Sequence, residues 1–472
     1  MPLQFGRTLL IAGIGVAFAG AFLVGRAIAQ NLSDQETGPV QHGGQTIEEM
    51  EGTSVTDDAA STDDIDGAVD VQIDENGHVV VPPATEKAMR YYHSGNGLWA
   101  FSTLYGFAVP LVILFTGFSA ILRNWARRFS KGWWLEVVVY LLLFTAITFL
   151  LNLPLDYYSG YVRQHAYDLS NQSFGKWFGD ELKGFAVGMI LTALVMWVPY
   201  ALIRKFPRTW WAWFSAGSLP FILLFMLIQP IWIAPLFNKF GPMKDKTLEA
   251  KILNLAETAG IQGGRVFEVD KSVDTRAVNA YVTGFAGSKR IVLWDTLLKK
   301  LKEDEVLFVM GHEMGHYKLG HVYQMIGLAV VMVFAGMFTV HRTSGWFIRK
   351  FKHRFGFDGM GDIASYPLLI LLFSLVAFVL QPGMMAFSRH NERVADKFGL
   401  EITRDNQAAA AAFVKLQHEN LGNPYPGPLY TFFRASHPPI GDRVEFINQY
   451  RPWSTGEKLQ YEHYFNRGRP QE

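Results

Sequence analysis

Long apolar stretches dominate the hydrophobic pattern of this chain. Beyond residue 90, six stretches are free or nearly free of charge over about 20 residues, the length that crosses a bilayer as an α-helix. They cover residues 98–122, 133–155, 184–203, 209–238, 322–340 and 363–388. Trp and Tyr residues near several of their ends fit the aromatic belts of membrane interfaces. We therefore predict six transmembrane helices in this region.

The first 90 residues have a different pattern. Residues 8–25 are apolar and are followed by the small-residue sequence AIAQ. Residues 1–30 are therefore either a cleaved signal peptide or a retained transmembrane anchor. An anchor here would be the first helix in chain order and would bring the number of transmembrane helices to seven. Residues 31–85 contain thirteen Asp or Glu and no Lys or Arg. Such a composition has too little apolar surface to offset the entropy of ordering. We predict an acidic disordered tether over residues 31–90.

The rest of the chain divides into membrane and soluble parts. Helices two to five occupy residues 91–234, and helices six and seven occupy residues 322–388. A soluble insert at residues 235–321 begins with the amphipathic pattern DKTLEAKILNLAETAG. It continues with strand-like runs RVFEV, NAYVTGF and RIVLW, the last two joined by the turn AGSK. With the soluble tail at residues 389–472, this predicts a small α+β domain.

Composition supports a membrane protein and narrows its chemistry. Half of the residues are hydrophobic and only 18% are charged, against about a quarter in soluble domains. The net charge of +1 gives no field that would attract nucleic acid, so we expect no nucleic-acid partner. Because the chain contains no Cys, any metal site must use His, Asp or Glu.

The segment EDEVLFVMGHEMGHYKLGH has the spacing of a zinc site. His312 and His316 are four residues apart, a rotation of about 40° past a full helical turn, so both side chains can reach one ion. Glu313 stands beside them, where it can take a proton from an activated water. The alternative is that these His residues only pack on a helix, since a bare HExxH also arises by chance.

Zinc needs a third protein ligand at such a site. His321 lies nine residues after His312, about 180° around a continuous helix, so we expect it to cap the helix or line the membrane boundary. Glu392, in SRHNERVADKFG, is the better candidate. Asp396 follows on the same helical face and would accept a hydrogen bond from a ligand His. We predict one zinc ion per chain, bound by His312, His316 and Glu392.

Together these residues resemble the integral-membrane zinc metalloproteases that include the type I CAAX prenyl proteases. The matching stretches are IAPLFNKFGPM, NAYVTGF, KRIVLWDTLL, EVLFVMGHEMGHYKLGH, SRHNERVAD and SHPPIGDRV, and the similarity spans roughly residues 95–450. The resemblance implies a gluzincin site and a chamber within the membrane. The expected fold class is a mainly α-helical polytopic membrane protein, its seven or so transmembrane helices enclosing a chamber that a small α+β gluzincin domain closes.

The resemblance also implies roles that the residues alone do not give. Asn279 in NAYVTGF would lie at a substrate-binding edge, where a peptide adds as a strand. His437 in SHPP would be a catalytic residue that stabilises the oxyanion. Arg443 would hold that segment in place. For His437 the bland alternative is a loop histidine beside two prolines.

We therefore expect a zinc metalloendopeptidase that acts on polypeptides, either prenylated or otherwise associated with the lipid bilayer. The first hypothesis is processing of prenylated C-termini. A second is an envelope quality-control protease for membrane or secretory proteins. A third, from another class, is a catalytically inactive membrane scaffold. The sequence leaves the natural substrate and the oligomeric state open.

Two membrane locations fit the sequence: a bacterial inner membrane or an endoplasmic-reticulum-like membrane. Lys and Arg cluster in three short loops, around residues 123–131, 204–208 and 342–354. The positive-inside rule would make these loops cytoplasmic and turn the catalytic domain outward. The family resemblance implies the opposite, a cytosolic catalytic domain. The side of the membrane stays open, with the charge pattern slightly favoured.

Overall fold

The computed structural model describes residues 70–283 and 290–465, and most of this part is helical. The apolar stretch at residues 8–25, most of the acidic segment and the AGSK turn lie outside the described residues. The α-helices are α1 Glu86–Phe115, α2 Phe118–Phe129, α3 Trp133–Tyr157, α4 Arg163–Ala166, α5 Phe174–Val195, α6 Trp197–Lys205, α7 Trp210–Ile228, α8 Lys246–Thr258, α9 Asp295–Lys300, α10 Glu303–Lys318, α11 His321–Phe355, α12 Tyr366–Thr403, α13 Asn406–Glu419, α14 Pro428–Phe433, α15 Ile440–Gln449 and α16 Pro452–Thr455. The strands are β1 Phe240–Pro242, β2 Arg265–Val269, β3 Ala280–Thr283 and β4 Arg290–Trp294.

Six helical segments of the described chain are long and apolar enough to cross a membrane. They are Glu86–Phe115, Trp133–Ala166, Phe174–Lys205, Trp210–Leu236, His321–Phe355 and Ile363–Thr403. Each overlaps one of the six predicted stretches, so that prediction is confirmed. In the most apolar 18 residues of Trp210–Leu236, only 6% of the positions are buried inside the protein. Its helix α7 packs against α11 and α6.

The first of these helices differs from its predicted range of residues 98–122. It begins at Glu86, where the Thr85 side chain accepts a hydrogen bond from the Ala88 backbone N–H. It ends at Phe115, because Gly117 adopts a left-handed φ of 70° that favours glycine and interrupts the helix. Helix α2 follows as a separate, strongly amphipathic element.

Residues 70–85 pack against the α+β domain that the soluble insert and the C-terminal tail form. The Asn448 side chain accepts a hydrogen bond from Val79 N at 3.1 Å and donates one to Val79 O at 2.9 Å. Val79 is 3% exposed and belongs to the core of that domain. The Gln417 amide donates to Pro82 O at 3.3 Å. The structure therefore differs from the predicted disordered tether over residues 70–90, because Val79 is buried, Val71 and Val81 pack partly buried against the same core, and α1 begins at Glu86.

The α+β domain has one sheet with the strand order β1-β2-β4-β3. Strands β2 and β4 are parallel, whereas the other two pairs are antiparallel. The predicted strands correspond to β2, β3 and β4, and the predicted amphipathic helix is α8, capped by Asp245. Strand β1 was not predicted, since three residues carry too little pattern. Residues of β4, α10, α12 and α13 share one hydrophobic core, which fixes α10 between the sheet and α12.

Candidate active site

Helix α10 carries the HEMGH motif through the centre of the domain. Its first turn is capped by Glu305, whose carboxylate accepts from the Lys302 backbone N–H at 2.7 Å. His312, Glu313 and His316 are 4%, 3% and 7% exposed. The motif thus lies on a rigid, covered helix, as a preorganised site requires.

Two helices cross closely at this motif because glycines remove the side chains between them. A Cβ added at Gly399 of α12 would lie 3.0 Å from His312 N, and one added at Gly315 would lie 3.0 Å from Phe398 Cβ. Such distances are shorter than ordinary van der Waals contacts. The glycines therefore let α12 approach the backbone of a ligand residue, and this contact brings Glu392 to the motif.

His312, His316 and Glu392 form the one group of three metal-ligating side chains found among the described residues. Their ligand atoms all lie within 4.8 Å of one another, and all three side chains are buried. The two Nε2 atoms are 3.1 Å apart. Glu392 places Oε2 3.3 Å from His312 Nε2 and Oε1 3.3 Å from His316 Nε2. Three donors that come from two helices thus converge on one point.

This donor set fits zinc. Two imidazoles and one carboxylate are a standard set for catalytic zinc and leave a coordination position open. The arrangement is buried, and Glu313 Oε1 beside it has no hydrogen-bond partner within residues 70–283 and 290–465. A buried carboxylate oxygen without a partner is costly unless a ligand or water completes its environment. The residues therefore fit a zinc ion with a reacting water next to Glu313.

Asp396 and Arg443 support one of the ligands. Asp396 Oδ1 lies 2.9 Å from His312 Nδ1. Arg443 donates to both oxygens of Asp396, at 2.6 and 2.9 Å, and its guanidinium stacks 3.9 Å from the Phe413 ring centroid. Burial lowers the pKa of His312, but Asp396 and Glu392 more than offset this, so the net pKa is raised. Asp396, the predicted hydrogen-bond partner of His312, is therefore within hydrogen-bond distance of it, and Arg443 contacts Asp396.

His437 lies at the edge of the same cluster. Its Nε2 is 3.3 Å from Glu392 Oε2, and its Nδ1 is 2.9 Å from Ser436 Oγ. Burial holds the pKa of His437 well below its usual value, although Glu392 opposes this effect. The imidazole is therefore neutral near neutral pH and has one N–H to donate.

His321 occupies a different position from the one expected. Helix α10 ends at Lys318, and Gly320 turns the chain with a left-handed φ of 69° before α11 begins. His321 consequently folds back onto the site, where its Nδ1 is 2.8 Å from His316 Nδ1. The expectation that it points away from the motif is wrong, because it assumed a continuous helix. His321 contacts His316 but does not belong to the group of three metal-ligating side chains. Gly320 was the feature of the sequence that could have indicated the end of the helix.

Asn279 lies next to the edge strand rather than in the cluster. Its carbonyl accepts from Trp294 N at 3.0 Å, and its buried side-chain Oδ1 lacks a hydrogen-bond partner in the described ranges. No hydrogen bond or ion pair joins Asn279 to the ligands within those ranges. Strand β3 is nevertheless the last strand of the sheet and packs on α10. A cavity of about 120 Å³ beside His312 and His437 reaches Tyr92 of α1.

Comparison with known proteins gives a consistent picture. Residues 76–239 match the family described as CAAX prenyl protease N-terminal, five membrane helices, and residues 242–451 match Peptidase family M48. The chain is 39% identical over 350 residues to the "uncharacterized metalloprotease YhfN" of Bacillus subtilis, covering 72% of this chain and 82% of the relative. It is 34% identical over 304 residues to the "CAAX prenyl protease 1 homolog" of Arabidopsis thaliana, covering 63% and 70%. The crystal structure of S. mikatae Ste24p is similar with a TM-score of 0.67 and 26% identity, covering 77% of this chain and 88% of that one.

Proposed function

This chain belongs to peptidase family M48 and is an integral-membrane, zinc-dependent metalloprotease, and on that premise we propose the roles of its site residues. His312, His316 and Glu392 hold the zinc ion, and Glu313 is the general base. The convergence of three buried donors within 4.8 Å carries this proposal. The inactive scaffold hypothesis finds no support, because a scaffold gains nothing from such a cluster.

The chain's own residues account for the proton transfers of peptide hydrolysis. Zinc, when bound, is a Lewis acid that lowers the pKa of a water and polarises a carbonyl. Glu313 takes the proton of the attacking water on its otherwise unsatisfied Oε1 and later delivers it to the leaving amine. His437 donates its N–H to the oxygen of the tetrahedral intermediate. Asp396 keeps His312 oriented, and Arg443 fixes Asp396.

The substrate that we propose is a polypeptide held near the membrane, with a prenylated C-terminus as the first candidate. The A. thaliana and Saccharomyces cerevisiae relatives are named CAAX prenyl protease 1. The cavity beside His312 and His437 is bounded by Tyr92 of a membrane-spanning helix and by Tyr430, so the site borders the spans. The edge of β3 after Asn279 would bind the peptide backbone as an added strand.

One experiment tests both levels of this proposal. Purified Glu313→Gln protein should keep its zinc but lose on the order of 10²- to 10⁴-fold in peptidase rate, because the base is gone. Glu445→Gln removes an exposed carboxylate of the same domain and should leave the rate unchanged. Each variant is assayed on a farnesylated peptide and on its unmodified twin. Undiminished cleavage by the zinc-loaded Glu313→Gln protein would refute the base, whereas equal cleavage of both peptides by the unmodified enzyme would refute only the prenyl preference.

A further inference from the structure

The membrane helices end in a strongly basic face on the side opposite the protease domain. We call it the basic face, and it comprises the connections between α1 and α3, between α6 and α7, and between α11 and α12, with the adjoining helix ends. Its Lys and Arg residues are Arg123, Arg127, Arg128, Lys131, Arg204, Lys205, Arg208, Arg342, Arg349, Lys350, Lys352 and Arg354.

These connections form one surface. Arg123 donates to Gly356 O at 3.2 Å and pairs with Asp362, which ties α2 to the turn before α12. The Arg204 guanidinium lies 4.8 Å from the Trp133 ring centroid, which ties α6 to the start of α3. Basic residues that are far apart in sequence are therefore neighbours on one end of the molecule.

The charge of the basic face is largely unbalanced. Its connections and helix ends contain twelve Lys and Arg residues but only three acidic residues, which are Glu136, Asp358 and Asp362. Within the described chain the ion pairs of these cations are Arg123 with Asp362 and Arg127 with Glu136. Such a surface needs anions from outside the protein, since like charges in proximity repel one another.

Helix α2 indicates where those anions lie. Ile121, Trp125 and Phe129 are 45%, 45% and 76% exposed and recur every four residues, so they form one apolar stripe. Leu122 and Ala126 face the protein and are fully buried. An exposed apolar stripe flanked by Arg side chains is the pattern of a helix that lies in the plane of the membrane interface. The apolar stripe suits acyl chains, and the neighbouring cations suit phosphate groups.

We propose that the basic face binds the anionic phospholipid headgroups of its own leaflet, with α2 embedded in the interface. Arg presents several N–H donors in a plane that matches phosphate oxygens, and Lys adds a compact charge. The binding is independent of peptide hydrolysis, because the basic face and the zinc ligands lie at opposite ends of the spans.

Native mass spectrometry of the full-length, zinc-loaded protein tests this proposal. The protein in neutral detergent is given equal amounts of phosphatidylglycerol and phosphatidylcholine, and bound lipids are counted. The test variant carries Arg128→Gln, Lys131→Gln and Arg208→Gln, three exposed cations of the basic face. The control variant carries Lys239→Gln, Arg265→Gln and Lys458→Gln, three exposed cations of the protease side.

The unmodified protein should prefer phosphatidylglycerol, and the test variant should lose about a hundredfold of that preference, since each of the three interfacial cations contributes roughly a factor of five. The control variant should keep the preference. No preference in the unmodified protein, or an equal loss in both variants, would overturn the proposal. Displacement of bound phosphatidylglycerol by excess inorganic phosphate would also overturn it, because the site would then recognise a soluble anion.

Discussion

Asp396→Asn removes the charge that links Arg443 to a zinc ligand while keeping the shape of the side chain. Asp396 is 1% exposed, accepts two hydrogen bonds from Arg443 and lies 2.9 Å from His312 Nδ1. Burial alone would lower the pKa of Arg443, but Asp396 raises it on balance. Because an Arg guanidinium is not deprotonated in proteins, Arg443 stays charged in the variant, with Glu392 3.5 Å away as a remaining countercharge.

Two effects should follow, and their sizes differ. Loss of a hydrogen-bond partner behind a ligand His lowers metal affinity by about 10- to 100-fold, which is roughly 1.4 to 2.7 kcal/mol. Removing one partner of a buried ion pair lowers the folding stability by about 3–5 kcal/mol, because the other charge is left uncompensated. We expect the lower end of that range, because the Asn amide oxygen still accepts from Arg443.

Glu401→Gln is the matched control on the same helix. Glu401 is fully buried and accepts from the Tyr450 hydroxyl at 2.6 Å and from the backbone N–H groups of Gln460 and Tyr461. It should lower the unfolding temperature without changing zinc affinity. Zinc affinity is measured by competition with a chelator, and stability by thermal unfolding in detergent. If Asp396→Asn lowers the unfolding temperature yet binds zinc as tightly as Glu401→Gln does, the orienting role of Asp396 is wrong.

The other predictions concern the two contacts that position the ligands. His321→Phe fills the space beside His316 but removes the ring nitrogen that lies 2.8 Å from His316 Nδ1, so zinc affinity should fall about tenfold. His321→Gln should retain more of the zinc affinity. Equal zinc affinities of the two variants would refute the role of this contact. Gly399→Ala places a Cβ 3.0 Å from His312 N and should cost about 1–3 kcal/mol of stability and weaken zinc binding. Gly383→Ala on the same helix meets a methionine methyl at 3.8 Å and should change neither property in thermal unfolding and chelator competition.

Local features of this chain were predictable because they depend on neighbouring residues. The four-residue spacing that puts His312 beside His316, and Glu392 beside Asp396, follows from the backbone hydrogen bonds of a helix. The six apolar stretches follow from the thickness of a bilayer. Strands β2 to β4 likewise followed from runs of five or so apolar and aromatic residues.

Errors arose where a single backbone conformation or a distant contact decided the outcome. Gly320 ends α10 and turns His321 toward the site, and Gly117 ends α1 before its apolar stretch does. Residues 70–85 were grouped with the acidic segment before them, yet they include the apolar run VVVPPA, and Val79 packs into the core of the α+β domain. Averages of composition over a segment do not register one anchoring side chain.

The sequence by itself determined the membrane helices and the HEMGH helix, and it pointed to Glu392 as third ligand, although its reason for setting His321 aside assumed a continuous helix. Only the tertiary structure decided that α12 packs closely on α10 at Gly399 and that Arg443 donates hydrogen bonds to Asp396. It also decided that three connections lie side by side and form one basic face. The physical reason is that helical periodicity comes from hydrogen bonds four residues apart, whereas these contacts join residues 47 to 233 positions apart. Such contacts form only when close packing selects one arrangement of the helices.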